Sequence, residues 1–141
     1  MIYVLYGQPA SGKTTLGKLL AEYLEVQFVI DGDEFREMFT NKDYTEHGRI
    51  ENIKNANAVA TYLNKKNKNV VIALVNPYQD LRQELKNNNQ DGVIEILLKS
   101  NRNLRKDYHV EDFEQGEPDY FLITDSEVEE TWGNLKNLLE L

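Results

Sequence analysis

Gly7-Gln8-Pro9-Ala10-Ser11-Gly12-Lys13-Thr14-Thr15 is the stretch from which the rest of the chain can be read. Its spacing is G-x-x-x-x-G-K-[ST], the pattern of a phosphate-cradling P-loop. At ordinary residue frequencies a chain of this length matches it by chance about 0.5% of the time. The flanks make chance rarer still. Ile2-Tyr3-Val4-Leu5-Tyr6 is an apolar, β-branched and aromatic run of strand length. Leu16, Leu19, Leu20, Tyr23 and Leu24 then recur at helical spacing.

Each part of the loop answers a physical need. Gly7 and Gly12 permit backbone angles and close approaches that a side chain blocks. Amide N–H groups of Gly7, Ala10, Ser11, Gly12, Lys13, Thr14 and Thr15 can then converge on phosphate oxygens at a helix N-terminus. Lys13 reaches the β- and γ-phosphates, and the Thr14 hydroxyl ligates Mg²⁺. The expected cofactors are therefore ATP and Mg²⁺.

Composition narrows what the nucleotide is used for. The chain has 141 residues, 40% hydrophobic and 28% charged, the size and make-up of one globular domain. It has no cysteine, which excludes disulfides, thiol catalysis and Cys-ligated zinc. No run of eighteen apolar residues occurs, so no membrane partner is expected. The N-terminus enters a strand without a basic leader, so a cytoplasmic setting is expected. A net charge of −8 disfavours nucleic acid as a partner. Much of the acidity is late, with ten carboxylates and no Lys or Arg between Asp107 and Glu130.

Further along, Gln27–Ile30 reads as a second strand, 34–40 as a short helix and 41–48 as a polar connection. Ile50, Ile53, Ala56, Val59, Ala60 and Leu63 mark an amphipathic helix from Arg49 to about Lys66. Val70–Val75 is a continuous apolar run, the signature of a strand buried on both faces. A helix from Asp80 to Lys86, strands at Val93–Leu98 and Tyr120–Ile123, and a closing helix from Val128 to Leu139 complete the pattern. Strands alternating with helices predict an α/β fold with a mainly parallel sheet, its ligand at the carboxyl ends of the strands. The polar stretch 99–119 lacks a clear element and reads as a lid.

At those carboxyl ends, Asp31 and Asp33 follow the second strand and Arg36 lies one helical turn on. Such carboxylates can hold Mg²⁺ or take a proton from an attacking hydroxyl, although Asp-Gly-Asp is also an ordinary turn sequence. The third strand ends in Val75-Asn76, without the usual acidic partner for Mg²⁺. That task then falls to Asp31 or Asp33.

Four blocks, taken in order, resemble the adenylylsulfate kinases. After the P-loop, Asp31-Gly32-Asp33-Glu34-Phe35-Arg36 is similar to the family's D-G-D-x-x-R. Tyr44-Thr45-Glu46-His47-Gly48-Arg49-Ile50-Glu51-Asn52-Ile53 looks like F-S-x-x-D-R-x-E-N-I, and Asn76-Pro77-Tyr78-Gln79-Asp80-Leu81-Arg82 resembles S-P-Y-R-x-x-R. The resemblance covers residues 1 to about 86. It implies a P-loop NTPase-type three-layer fold, strand order 2-3-1-4-5, and transfer of the ATP γ-phosphoryl group to the 3′-hydroxyl of adenosine 5′-phosphosulfate. Carried onto this chain, it implies that Asp33 takes the hydroxyl proton and Asp31 lies near the metal. Arg36 and Arg49 would grip the phosphosulfate, Asn52 would touch the same substrate, and Tyr44 would stack on its adenine. The small-molecule substrate is the expected partner, and the family's frequent dimers make a homodimer an option.

The chain also departs from the family. Asn76 stands where a serine is common, Gln79 replaces a basic residue, and the lid is compressed. Arg102 and Arg105, with Lys106, are the lid cations suited to stabilising charge during transfer. Two rivals stay open at this level: a kinase of the same architecture acting on another small hydroxyl, and a nucleotide-binding protein without turnover.

Overall fold

The computed structural model describes residues 1–102 and 108–141. Its elements are β1 (Ile2–Tyr6), α1 (Lys13–Tyr23), β2 (Ile30–Asp31), α2 (Gly32–Met38), α3 (Glu46–Lys65) and β3 (Val70–Leu74). They are followed by α4 (Gln79–Asn88), β4 (Val93–Lys99), β5 (Tyr120–Ile123) and α5 (Val128–Leu139). The five strands form one sheet in the order β2-β3-β1-β4-β5, every neighbouring pair parallel. Both the parallel sheet and its order agree with expectation.

Alternation along the strands divides the apolar residues between two cores. Ile2, Val4 and Tyr6 of β1, with Val70, Ile72 and Leu74 of β3, face Ile53, Ala56 and Ala60 of α3 and Leu81 and Leu85 of α4. Leu5, Val71, Ile96 and Leu98 face Leu16 and Leu20 of α1 and Leu135 of α5. Covering both faces is what allows β3 to be apolar throughout. Each fully buried aliphatic side chain contributes roughly 1.5–3 kcal/mol. Parallel register, with Tyr6 opposite both Leu74 and Leu97, brings the carboxyl ends of the strands to one edge.

Two elements start three residues away from the sequence reading, and the other boundaries shift by no more than two. Only Ile30–Asp31 joins the ladder where a strand at Gln27–Ile30 was expected. β2 is an edge strand, and Val26 and Val29 pack into the α1 core without needing a ladder partner. Helix α3 begins at Glu46 rather than Arg49. The Asp43 carboxylate accepts from the Thr45 amide at 2.9 Å and from the Thr45 hydroxyl at 2.5 Å, closing a turn that starts the helix early. These hydrogen bonds hold the Asp43 carboxyl below its ordinary range.

A candidate nucleotide and acceptor cleft

Gly12 has φ 94°, a left-handed conformation that favours glycine, and leads directly into α1. Gly7 is required for a different reason: a Cβ there would collide with the Leu98 carbonyl oxygen. The turn thus lies tight against β4, with the N-terminus of α1 directed at the carboxyl edge of the sheet. Lys13 folds over the loop, its Nζ donating to the Gln8 carbonyl at 2.8 Å and to Ser11 Oγ at 3.3 Å. Thr124 Oγ1 donates to the Ser11 carbonyl at 2.8 Å, fastening the loop to the end of β5.

A cleft of about 820 Å³ opens beside this loop. Ala10, Gly12, Lys13, Thr14 and Thr15 line its donor side. Asp31, Asp33, Arg36, Tyr44, Arg49 and Asn52 line the same cleft. The structure therefore brings the residues singled out at the ends of β1 and β2 and along α3 into one space. Val75, Asn76 and Pro77, between those two groups, and Tyr108, His109 and Val110 complete the walls.

Asp31 does two jobs. Its Oδ2 accepts from the Glu34 amide at 3.2 Å and caps α2, while its Oδ1 accepts from the Thr14 hydroxyl at 2.9 Å. Thr14 and Asp31 thus supply adjacent hard oxygen donors beside the phosphate loop. That donor set fits Mg²⁺, which takes few protein oxygens and otherwise keeps water and phosphate. No larger group of His, Asp and Glu suited to a metal occurs among the described residues.

Asp33 is exposed in the first turn of α2. The Arg36 guanidinium donates to the Asp43 carbonyl at 2.8 Å and lies 4.1 Å from the Tyr44 ring centroid. Tyr44 stands exposed on the rim with Arg36 against its ring. Arg49 donates through Nε to the Tyr78 hydroxyl and through Nη1 to the Tyr44 carbonyl, both at 2.9 Å. Each arginine is thereby pre-aimed rather than loose. His47 pairs with Glu51 along α3 at 3.5 Å and does not line the cleft.

Arg102 is placed elsewhere than in the main cleft. It donates to Ser100 Oγ at 3.0 Å and to the Thr124 carbonyl at 3.1 Å, and lines a second pocket of about 330 Å³ with Gln8 and Ser11. Asp125 accepts from the Asn101 amide at 2.8 Å and from Ser100, which holds its carboxyl below the ordinary range. Arg105 and Lys106 lie outside the described residues.

Sequence reading missed how the later part of the lid stretch is held. It has no regular element, as expected, yet 110–116 is strapped across the strand ends rather than left open. Gln8 Nε2 donates to the Val110 carbonyl at 2.8 Å while the Val110 amide donates to Gln8 Oε1 at 2.9 Å. Farther on, the Glu114 amide donates to the Pro77 carbonyl and the Glu114 carboxylate accepts from the Gln79 amide. Tyr6, wholly buried, stacks on Phe113 at 6.2 Å and donates its hydroxyl to the Gln115 carbonyl at 2.6 Å.

Burial pushes the Tyr6 hydroxyl from 10.0 up to about 12, against the opposing pull of Arg82. A group whose folded pKa is raised contributes stability that is intact below the unfolded pKa and is lost as pH rises through the folded one. The strap is thus expected to loosen between pH 10 and about 12. Thermal midpoints across that window would fall more steeply for the wild type than for Tyr6→Phe; parallel curves would refute the assignment.

Comparison with known proteins bears on the family and the fold. A family model described as adenylylsulphate kinase matches residues 1–112. An adenylyl-sulfate kinase of Pseudomonas entomophila is 33% identical over 102 residues, 65% of this chain and 47% of that protein. The chain therefore spans about half the length of that relative. A Mycobacterium tuberculosis APS kinase, solved in complex with AMPPNP and APS, has a TM-score of 0.82 at 20% identity, covering 99% of this chain and 97% of that one. A gluconokinase from Sinorhizobium meliloti shares the fold at TM-score 0.65 and 15% identity, covering 98% and 94%.

Proposed function

We propose that this chain, which belongs to the adenylylsulphate kinase family, transfers the γ-phosphoryl group of ATP to the 3′-hydroxyl of adenosine 5′-phosphosulfate. The products are 3′-phosphoadenosine 5′-phosphosulfate and ADP. The observation that carries this reading is the single cleft lined by both the phosphate loop and Asp33, Arg36, Arg49 and Asn52.

In this reading the P-loop amides and Lys13 hold the β- and γ-phosphates of ATP against the N-terminus of α1. Thr14 and Asp31 hold Mg²⁺, which when bound neutralises charge on the phosphate oxygens. Arg36 and Arg49 grip the phosphosulfate, since guanidinium forks suit tetrahedral oxyanions. Tyr44 offers its outer face to the adenine, and Asn52 contacts the same nucleotide. Asp33 receives the proton as the 3′-oxygen forms its bond to the γ-phosphorus and the bond to the β,γ-bridging oxygen breaks. Arg102, beside the P-loop, borders the donor side with Arg105 beyond it in the chain. We take residues 1–141 as one catalytic unit acting in the cytoplasm.

The test is ADP release from MgATP with adenosine 5′-phosphosulfate as the only acceptor, run beside gluconate and cytidylate. Release with the first alone supports the reading. Release only with another acceptor, or with none while ATP binds, overturns it. Arg49→Ala is expected to raise KM for adenosine 5′-phosphosulfate by about 10- to 100-fold, the worth of a charge-assisted hydrogen bond. ATP affinity, measured by titration calorimetry, should stay within twofold.

A further inference from the structure

Asn76 is 1% exposed and lines the cleft, yet neither its side-chain oxygen nor its side-chain nitrogen has a hydrogen-bond partner among the described residues. A buried polar group left in that condition costs roughly 1–3 kcal/mol, and native folds rarely leave one without a reason. The backbone adds to the oddity. Asn76 has φ 50°, a left-handed conformation that asparagine tolerates better than most residues. Its carbonyl is fixed by Arg82 Nη1 at 2.6 Å. The backbone that carries this side chain is therefore held in place.

A second cleft amide shares the condition. Asn52 is 5% exposed and donates through Nδ2 to the Gly32 carbonyl at 3.2 Å, while its Oδ1 has no partner among the described residues. Together the two amides present two unused acceptor oxygens and one unused donor nitrogen. Carbonyl oxygens repel an anion, and the cleft already has Arg36 and Arg49 for that task. An amide oxygen and an amide nitrogen instead match neighbouring sugar hydroxyls: one gives its proton to an amide oxygen, and the reacting one accepts from Asn76 Nδ2 while its own proton stays directed at Asp33. Sheet order fits this placement. β3 lies between β2 and β1, so Asn76, two residues past β3, stands between the Asp31–Asp33 turn and the phosphate loop.

We infer that Asn76, with Asn52, is a specificity determinant that hydrogen-bonds the vicinal hydroxyls of the acceptor's sugar beside the reacting oxygen. This rests on the reading of the acceptor as a ribonucleotide. The amide pair selects a sugar bearing both hydroxyls and sets the reacting one toward Asp33. The unpaired polar atoms of the free protein find their partners in the acceptor.

The experiment compares wild type with Asn76→Gly, which removes the amide but keeps the left-handed backbone available. Asn76→Asp, of the same shape but without the donor, is the second variant and decides the matter should the first not fold. For each, kcat/KM is measured with adenosine 5′-phosphosulfate and its 2′-deoxy analogue, together with ATP affinity and thermal midpoint. The expected result for the wild type is a preference for the ribose form. Both variants should lose about 10- to 100-fold in kcat/KM for that form and much of the preference. Asn76→Gly should leave ATP affinity within twofold and should not lower the thermal midpoint, because no intramolecular side-chain hydrogen bond is lost. A wild type that turns over both forms equally, or a variant that keeps the preference, overturns the inference alone. A wild type inert toward adenosine 5′-phosphosulfate overturns the functional reading and this inference with it.

Discussion

Asp33→Asn is expected to lower kcat for phosphoryl transfer by about 10²- to 10⁴-fold, the usual worth of a positioned general base. The substitution keeps shape and hydrogen-bonding reach but leaves a group that cannot take a proton. Asp33 is in the first turn of α2, exposed to the cleft and two residues beyond the Asp31 that accepts from Thr14. Removing its charge therefore should leave the donor side assembled. ATP affinity and the KM for the acceptor are expected to change by less than about threefold, since the interaction lost belongs to the transition state. Single-turnover measurements separate this from slow product release. A kcat within a few-fold of the wild type would move the base elsewhere in the cleft.

The second large effect concerns stability. Arg82 and Glu95 are buried on the β4–α4 side of the sheet, their side chains 2% and 6% exposed, with Arg82 Nε 3.4 Å from Glu95 Oε2. Lys86 Nζ lies 2.6 Å from the other carboxylate oxygen. Arg82 also donates to the carbonyls of Asn76 and Glu114 and lies 4.3 Å from the Tyr6 ring centroid. One guanidinium thus joins the end of β3, the strap and a buried carboxylate. Arg82→Met is expected to cost about 3–5 kcal/mol, because it leaves the buried Glu95 with Lys86 alone and the Asn76 and Glu114 carbonyls without their donor. Urea unfolding followed by circular dichroism checks the figure. In Arg82→Met/Glu95→Leu much of that loss should return, since no uncompensated charge remains. Failure of the double variant to recover would mean that the strap bonds, rather than the charge, dominate.

How much of this could be read beforehand follows from how local each signal is. Gly7 to Thr15 carries its own geometry in consecutive residues, so its chemistry is legible without a fold. Asp31, Asp33, Arg36, Arg49 and Asn52 became legible as one group, all lining the cleft, only through blocks in the same order as a known family. Taken separately, Asp31-Gly32-Asp33 reads first as an ordinary turn, Arg49 as a helix start and Asn52 as a surface residue. Gln8 offered no signal at all. It is a variable position of the loop pattern, and its partner Val110 is 102 residues away. Arg82 lay inside a matched block, yet its role depends on Glu95, which reads in sequence as a break in an apolar strand.

The edge of the sheet shows the same limit. A run such as Gln27–Ile30 has strand composition, but pairing needs a neighbour in register, and β3 offers one only from Ile30 onward. The sequence by itself determined the phosphate loop, the alternation that makes a parallel α/β sheet, and the residue types that crowd its carboxyl edge. These rest on short-range periodicity and on backbone freedom at single residues. It took the folded arrangement to show that the late segment is a strap, that Arg82 ties three elements together, and that Asn52 and Asn76 are buried with polar atoms unpartnered among the described residues. Whether a polar atom finds a partner depends on which chain segments meet around it, and residues 30 to 100 positions apart meet only once the sheet order is set.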